Sequence, residues 1–152
     1  MRLELTRRAD YAIRTVLALA RAADDELLSV RRIAAEQTVP ERFLPQVMGD
    51  LIRAGLVEGT IGRNGGYRLI RNAADLSLLD IVEAVEGDAR RRTCVLRGGP
   101  CARSGVCDVH DAFAGAQEAL LGKLAEARVS DLIGTAGARK TRSRVGRTSS
   151  AR

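Results

Sequence analysis

The sequence predicts a mainly α-helical fold with one two-stranded hairpin and a long helix towards its C-terminus. Three observations predict it. Apolar residues recur at helical spacing in successive stretches before Gly55. A glycine-rich turn between two strand-like flanks follows directly. The longest helical pattern of the chain then runs from residue 108 to about residue 127.

Residues 6 to about 22 fit an amphipathic helix. Ile13, Val16, Leu17 and Ala20 recur at i, i+3, i+4 and i+7, and Arg7, Arg8, Arg14 and Arg21 lie off that stripe. Asp24-Asp25 makes a polar break. Ser29 is a suitable N-cap for a second helix from Val30 to about Gln37, with Ile33 and Ala34 facing inward. After the short connection Thr38-Val39-Pro40, a third helix is expected from about Arg42 to Ala54. Its apolar side is made by Phe43, Val47 and Leu51 with Leu44 and Met48, while Arg42, Gln46, Asp50 and Arg53 point outward. Gly55 stands where a left-handed C-terminal cap belongs. Pro45 lacks an amide hydrogen and is tolerated only in a first turn, so this helix should start late or bend near Leu44. Two helices joined by a tight turn match a helix-turn-helix.

Leu56-Val57-Glu58, the turn Gly62-Arg63-Asn64-Gly65-Gly66, and Tyr67-Arg68-Leu69-Ile70 come next, the glycines supplying positive φ for a hairpin. A hairpin immediately after a helix-turn-helix is a wing. The fold class is therefore mainly α, a winged helix-turn-helix with a two-stranded wing and a long C-terminal dimerisation helix. Ser77-Leu78-Leu79-Asp80 is a capping-box pattern that opens a fourth helix ending at Gly87. The long helix has the stripe Phe113, Ala116, Leu120 and Leu124, bordered by Leu121 and Ala127. It lies beyond the compact winged domain, so its stripe needs a partner. A second copy is the economical one, and a two-fold dimer would follow; packing against the first helix alone is the alternative. Val129 to Ile133 is expected to form a closing turn against the first helix. These divisions give a DNA-binding domain at 1–87, a cysteine loop at 88–110, a dimerisation helix and closing turn at 111–133, and a basic tail at 134–152.

Charge points to nucleic acid only where it is local. The net charge is +6, but six basic side chains and no acid lie in residues 139–152; the remaining 19 basic residues balance the 19 acidic ones. That tail is polar, Gly/Ser-rich and like-charged, the composition of a disordered solubilising appendage. Between Arg31 and Arg71, in contrast, seven basic residues face four acidic ones, a balance that favours phosphate contact. The candidate DNA-binding residues are Ser29, Arg31, Arg42, Phe43, Gln46, Arg53, Arg63, Asn64 and Arg68. No run approaches the ~20 apolar residues of a membrane span, and the N-terminus lacks a secretory design. A soluble, cytoplasmic protein is expected.

The stretch CVLRGGPCARSGVCDVH holds all three cysteines, Cys94, Cys101 and Cys107, spaced C-x6-C-x5-C, with the sole histidine, His110, three residues after the last. Gly98, Gly99, Pro100, Ser104 and Gly105 make the intervening segment a loop, which can wrap several thiolates around one object. An odd thiol count closes no disulfide framework. Sulfur ligands suit zinc or an iron–sulfur cluster. The tight C-x2-C pairs common at zinc sites are missing, and looser gaps fit the larger cluster better. One histidine and no nucleophile or paired-carboxylate constellation argue against an enzyme.

Together these motifs resemble the bacterial IscR/NsrR regulators, the Rrf-two family. SVRRIAAEQTVPERFLPQVMGDLIRAGLVEGTIGRNGGYRL resembles the family's winged helix-turn-helix, and LTRRADYAIRTVLALA resembles its first helix. DLSLLDIVEAVEG, the cysteine loop and the long helix follow in the family's order, so the resemblance covers about residues 1–133. It implies a homodimeric repressor that senses redox state, nitric oxide or iron–sulfur status through a [2Fe-2S] or [4Fe-4S] cluster. It also implies Cys94, Cys101 and Cys107 as ligands. His110 matches the fourth ligand of the IscR type, and Asp10, from the partner subunit, matches that of the NsrR type. This chain departs from the family in its x6 first cysteine gap, in Ile61-Gly62 where the wing carries Arg-Gly, and in Pro45. The expected partner is double-stranded DNA with a palindromic operator, read by two third helices about 34–36 Å apart. The rival reading keeps the winged helix but gives the cysteines a structural zinc ion or a thiol redox switch.

Overall fold

Thr6 starts the first helix, α1 (Arg7–Arg21): its hydroxyl oxygen accepts from the Ala9 amide at 3.2 Å and its hydroxyl donates to Glu86, eighty residues on. The structure, a computed structural model, describes residues 5–23, 26–88 and 107–134. Asp24-Asp25, Cys94, Cys101, the rest of the cysteine loop before Cys107 and the basic tail lie outside the described residues. After α1 come α2 (Val30–Gln37), a 3-10 turn (Glu41–Phe43), α3 (Leu44–Arg53), β1 (Val57–Thr60), β2 (Gly66–Leu69), α4 (Leu78–Glu86) and α5 (His110–Glu126).

α1 turns a different face inward from the one its large residues mark. Ala9, Ala12, Thr15, Val16, Ala18 and Leu19 are buried, whereas Ile13, Leu17 and Ala20 are half-buried at the edge of the core. α1 packs chiefly on α4, and its buried alanines give little hydrophobic signal in the sequence. α2 has the expected bounds, with the Ser29 hydroxyl oxygen accepting from the Arg32 amide at 3.2 Å. Its last residue is followed by Thr38 at φ +55, a left-handed conformation that a β-branched residue rarely adopts.

Pro45 has the predicted effect. The chain makes a 3-10 turn at Glu41–Phe43, and regular α-helix begins only at Leu44, with the proline in its first turn where no amide is needed. Leu44, Val47, Met48 and Leu51 form its buried side, and Gly55 (φ +70) ends it. Asp50 corrects the expected outward face. It is buried, not solvated, for the reason given below.

β1 and β2 pair antiparallel, Val57 opposite Leu69 and Thr60 opposite Gly66. Leu28, just before α2, exchanges both backbone hydrogen bonds with Tyr67 and so ties the wing to the helical body. In the turn only Gly62 has positive φ (+136). Gly65 is required by space instead, since a Cβ there would lie 2.2 Å from the Thr60 carbonyl oxygen. α4 opens with the capping box: the Asp80 amide donates to the Ser77 hydroxyl, and Asp80 accepts from the Ser77 amide at 2.8 Å.

The core joins these elements through Val16, Leu19, Ile33, Leu44, Leu51, Leu56, Ile81, Val85 and Val129. α5 contributes no buried residue and packs along α4. The closing segment, helical from 129 to 134, is anchored by Val129 and Ser130 amides donating to Leu76 and Ala73 carbonyls. Its hydrogen bonds thus go to the segment before α4, and Val129 shares the core with α1. Among the described residues no helix is long and apolar enough to cross a membrane.

Candidate DNA-binding surface and cysteine site

The helix-turn-helix sits on α1 and α4 with the outer side of α3 uncovered. Gln46 and Arg53 are exposed two turns apart on one side of that helix, and Arg42 is exposed in the 3-10 turn just before it. Arg42 is held from below: its guanidinium lies 4.9 Å from the Phe43 ring centroid, and the Phe43 ring meets Tyr11 of α1 at 5.5 Å. Phe43 is half-buried by these contacts, so it supports Arg42 and fastens α3 to α1. Tyr11 was not visible as part of this surface in the sequence, because nothing local links it to residue 43.

Two adjacent arginines on α2 are used differently. Arg31 is exposed and carries no ion pair among the described residues. Arg32 donates to Glu36 at 2.7 Å and to Glu26, and those hydrogen bonds raise the Arg32 guanidinium further and lower the Glu26 carboxyl. Ser29 caps the same helix from an exposed position. At the wing tip Arg63 and Asn64 are exposed, next to a fully exposed Ile61. Arg68 lies lower on the wing and pairs across the strands with Glu58, so the tip is more positive than its base.

Arg53 is exposed yet anchored. Its Nη1 donates to Asp50 Oδ1 at 3.0 Å, and the other oxygen of Asp50 accepts from Nε of Arg8 at 2.9 Å and from the Arg8 Nη2. A buried carboxylate demands partners of this kind. The i, i+3 spacing of Asp50 and Arg53 is a signal present in the sequence; Arg8 is not.

Of the four expected metal ligands, the structure describes Cys107 and His110. Cys107 is a half-exposed free thiol. Its carbonyl accepts the His110 amide at 3.0 Å, which sets the two residues one turn apart at the start of α5. Thiolate and imidazole are donors suited to iron or zinc, so the chemistry of this pair fits a thiolate-bound centre. Among the described residues no three metal-binding side chains come together; Cys94 and Cys101 lie outside them. Asp10 lies in the first turn of α1 with its Oδ1 accepting from Arg14 at 2.9 Å, and Arg14 also donates to the Gln37 carbonyl at the end of α2.

A helix-turn-helix with its second helix uncovered, followed at once by a two-stranded wing, defines a winged-helix protein of the DNA-binding kind. Residues 5–135 match the family model described as Rrf2, iron-dependent transcriptional regulator. The chain belongs to the Rrf2 family: it is a winged-helix transcription regulator, not an enzyme. It is 33% identical over 132 residues to the transcriptional repressor NsrR of Streptomyces coelicolor, covering 86% of this chain and 88% of that one. Its fold is similar to that of CymR, the global cysteine regulator of B. subtilis, with a TM-score of 0.72, 22% identity, and coverage of 88% of this chain and 98% of the other. It is likewise similar to T. potens IscR, with a TM-score of 0.69, 23% identity and 88% of each chain covered.

Proposed function

We propose that the chain is a homodimeric repressor that reads a palindromic operator and releases or grips it according to the state of an iron–sulfur cluster held by Cys94, Cys101, Cys107 and His110. The observation that carries this reading is the C-x6-C-x5-C run ending one turn before His110, set between the winged domain and α5. Asp10 from the partner subunit is the alternative fourth ligand; within its own chain its carboxylate accepts from Arg14. When bound, the cluster supplies thiolate-held iron that reacts with nitric oxide or oxidants.

The rest is work for the chain. Arg42, from the 3-10 turn, and Gln46, from α3, face base edges. Ser29, Arg31 and Arg53 meet phosphates, and Arg63, Asn64 and Arg68 lay the wing along the backbone. His110 opens α5 and Cys107 lies just before it, so tying or untying them alters how that helix leaves α4 and hence the separation of the two α3 helices. Converting a mostly bound population to a mostly free one needs about 5.5 kcal/mol of difference between the two states.

Anaerobic purification followed by absorption and Mössbauer spectroscopy tests this. The expected result is a brown protein bleached by nitric oxide. Substitution of Cys101 by Ala should remove the colour and leave the fold, and His110→Ala and Asp10→Ala made separately assign the fourth ligand. A colourless protein carrying stoichiometric zinc would replace the cluster by a structural metal. A metal-free protein that binds DNA equally well with all three cysteines replaced would end the sensing role altogether.

A further inference from the structure

Asp50 places a negative charge on the helix that faces a polyanion, which simple electrostatics disfavours. Its surroundings give the reason. The Asp50 side chain is 5% exposed and lies between Arg8 of α1, 41% exposed, and Arg53 of α3, 78% exposed. The two carboxylate oxygens divide the work: Oδ2 accepts from the Arg8 Nε at 2.9 Å and from the Arg8 Nη2, and Oδ1 accepts from the Arg53 Nη1 at 3.0 Å. One anion thus holds two cations and leaves the group net positive. An exposed arginine ordinarily loses much rotamer freedom when it meets a phosphate. Arg53 is already pinned at one nitrogen while its side chain stays largely exposed.

We propose that Asp50 is a positioning residue for DNA binding. Through Asp50, Arg8 of α1 fixes the roll of α3, and Asp50 itself pre-orients the Arg53 guanidinium for a backbone phosphate. The inference rests on the reading of α3 as the recognition helix. It goes beyond that reading by assigning binding energy to a buried acid that touches no DNA. In Asp50→Asn the shape is kept, but an amide NH2 would face one of the two guanidinium groups. Donor would then oppose donor, and that arginine would be released.

The test uses the full-length protein and a duplex enriched from a random-sequence library by the unaltered chain, titrated by fluorescence anisotropy between about 50 and 200 mM salt. Charge alone predicts that Asp50→Asn binds more tightly. Positioning predicts binding about tenfold weaker, the scale of a lost charge-assisted hydrogen bond. Arg53→Ala should weaken binding and reduce the slope of log K against log salt by about 1. The double variant should lose less than the sum of the two single losses, because part of the effect of Asp50 is carried by Arg53; fully additive losses would show that Asp50 does not act through Arg53. Tighter or unchanged binding by Asp50→Asn, beside weakened Arg53→Ala, overturns the inference and leaves α3 as the reading helix. Unchanged binding by both Arg53→Ala and Gln46→Ala overturns the inference together with that reading. If circular dichroism shows Asp50→Asn unfolded, Arg8→Lys takes its place. It keeps the charge and loses the forked contact, so positioning predicts weaker DNA binding, and unchanged affinity overturns it.

Discussion

Gly49 makes α3 less stable than it needs to be. A glycine inside a helix costs about 0.5–1 kcal/mol relative to alanine. A Cβ at Gly49 would meet nothing within 4 Å, so packing within the chain does not demand the gap. Three residues after Gln46 and four before Arg53, it opens the side on which DNA would approach. Gly49→Ala should therefore raise the thermal midpoint by roughly 1–4 °C for a chain of this size, while weakening DNA binding. Calorimetry and a DNA titration on one preparation check both signs; stabilisation with unchanged affinity would mean that no close approach occurs there. A mid-helix glycine is legible in the sequence. Asp50 was not, and its spacing from Arg53 read as an ordinary solvated face. What buries it is Arg8, separated from it by 42 residues, and a one-dimensional pattern carries no trace of such a pair. The same holds for Tyr11 against Phe43.

Elements whose ends are set by local hydrogen bonds were readable. Ser29 and Ser77 cap as their spacing implies, and Pro45 delays α3 by its missing amide alone. The inward face of α1 was not readable, because Ala9 and Ala12 are buried without the hydrophobic weight that Ile13 and Leu17 carry. The α4 cap also has a pH consequence. Burial pushes the Asp80 carboxyl upward, but the Ser77 amide and hydroxyl, with the charges of Arg71 and Arg128, outweigh it and hold the group below its ordinary 3.8. A carboxyl lowered by folding adds stability above its unfolded pKa, and that part is lost as pH falls through the folded value. Asp80→Asn should lower stability by about 1 kcal/mol at neutral pH, the usual worth of a cap. It should also flatten the decline as pH falls through and below the ordinary 3.8 of this carboxyl. Urea unfolding of both proteins across that range measures it; parallel curves would show that Asp80 titrates no differently in the folded chain.

At the scale of the whole molecule, the winged body has its own core, and α5 does not share it. Over its 17 residues none is buried; Phe113 and Leu124 are half-buried, Ala116 is exposed and Leu120 is 41% exposed. The stripe was legible as apolar, but the side meeting α4 was not: Ala114, Leu121 and Ala125 line a groove with Leu79 there, and this contact depends on how α5 returns to α4. Among the described residues α5 packs chiefly on α4, and the proposed dimer would place a second copy over Leu120. Leu120→Glu puts a charge at that position, where water tolerates it and an apolar contact between helices does not. On the proposed dimer, sedimentation should then show a monomer for Leu120→Glu and a dimer for the unaltered chain, with the circular dichroism of the winged body retained. Operator affinity should fall by about 10²–10⁴-fold, because the second half-site no longer binds at the effective concentration its partner provided. If Leu120→Glu sediments with the unaltered mass, the two copies meet elsewhere, and the separation of the α3 helices cannot be governed through this face of α5.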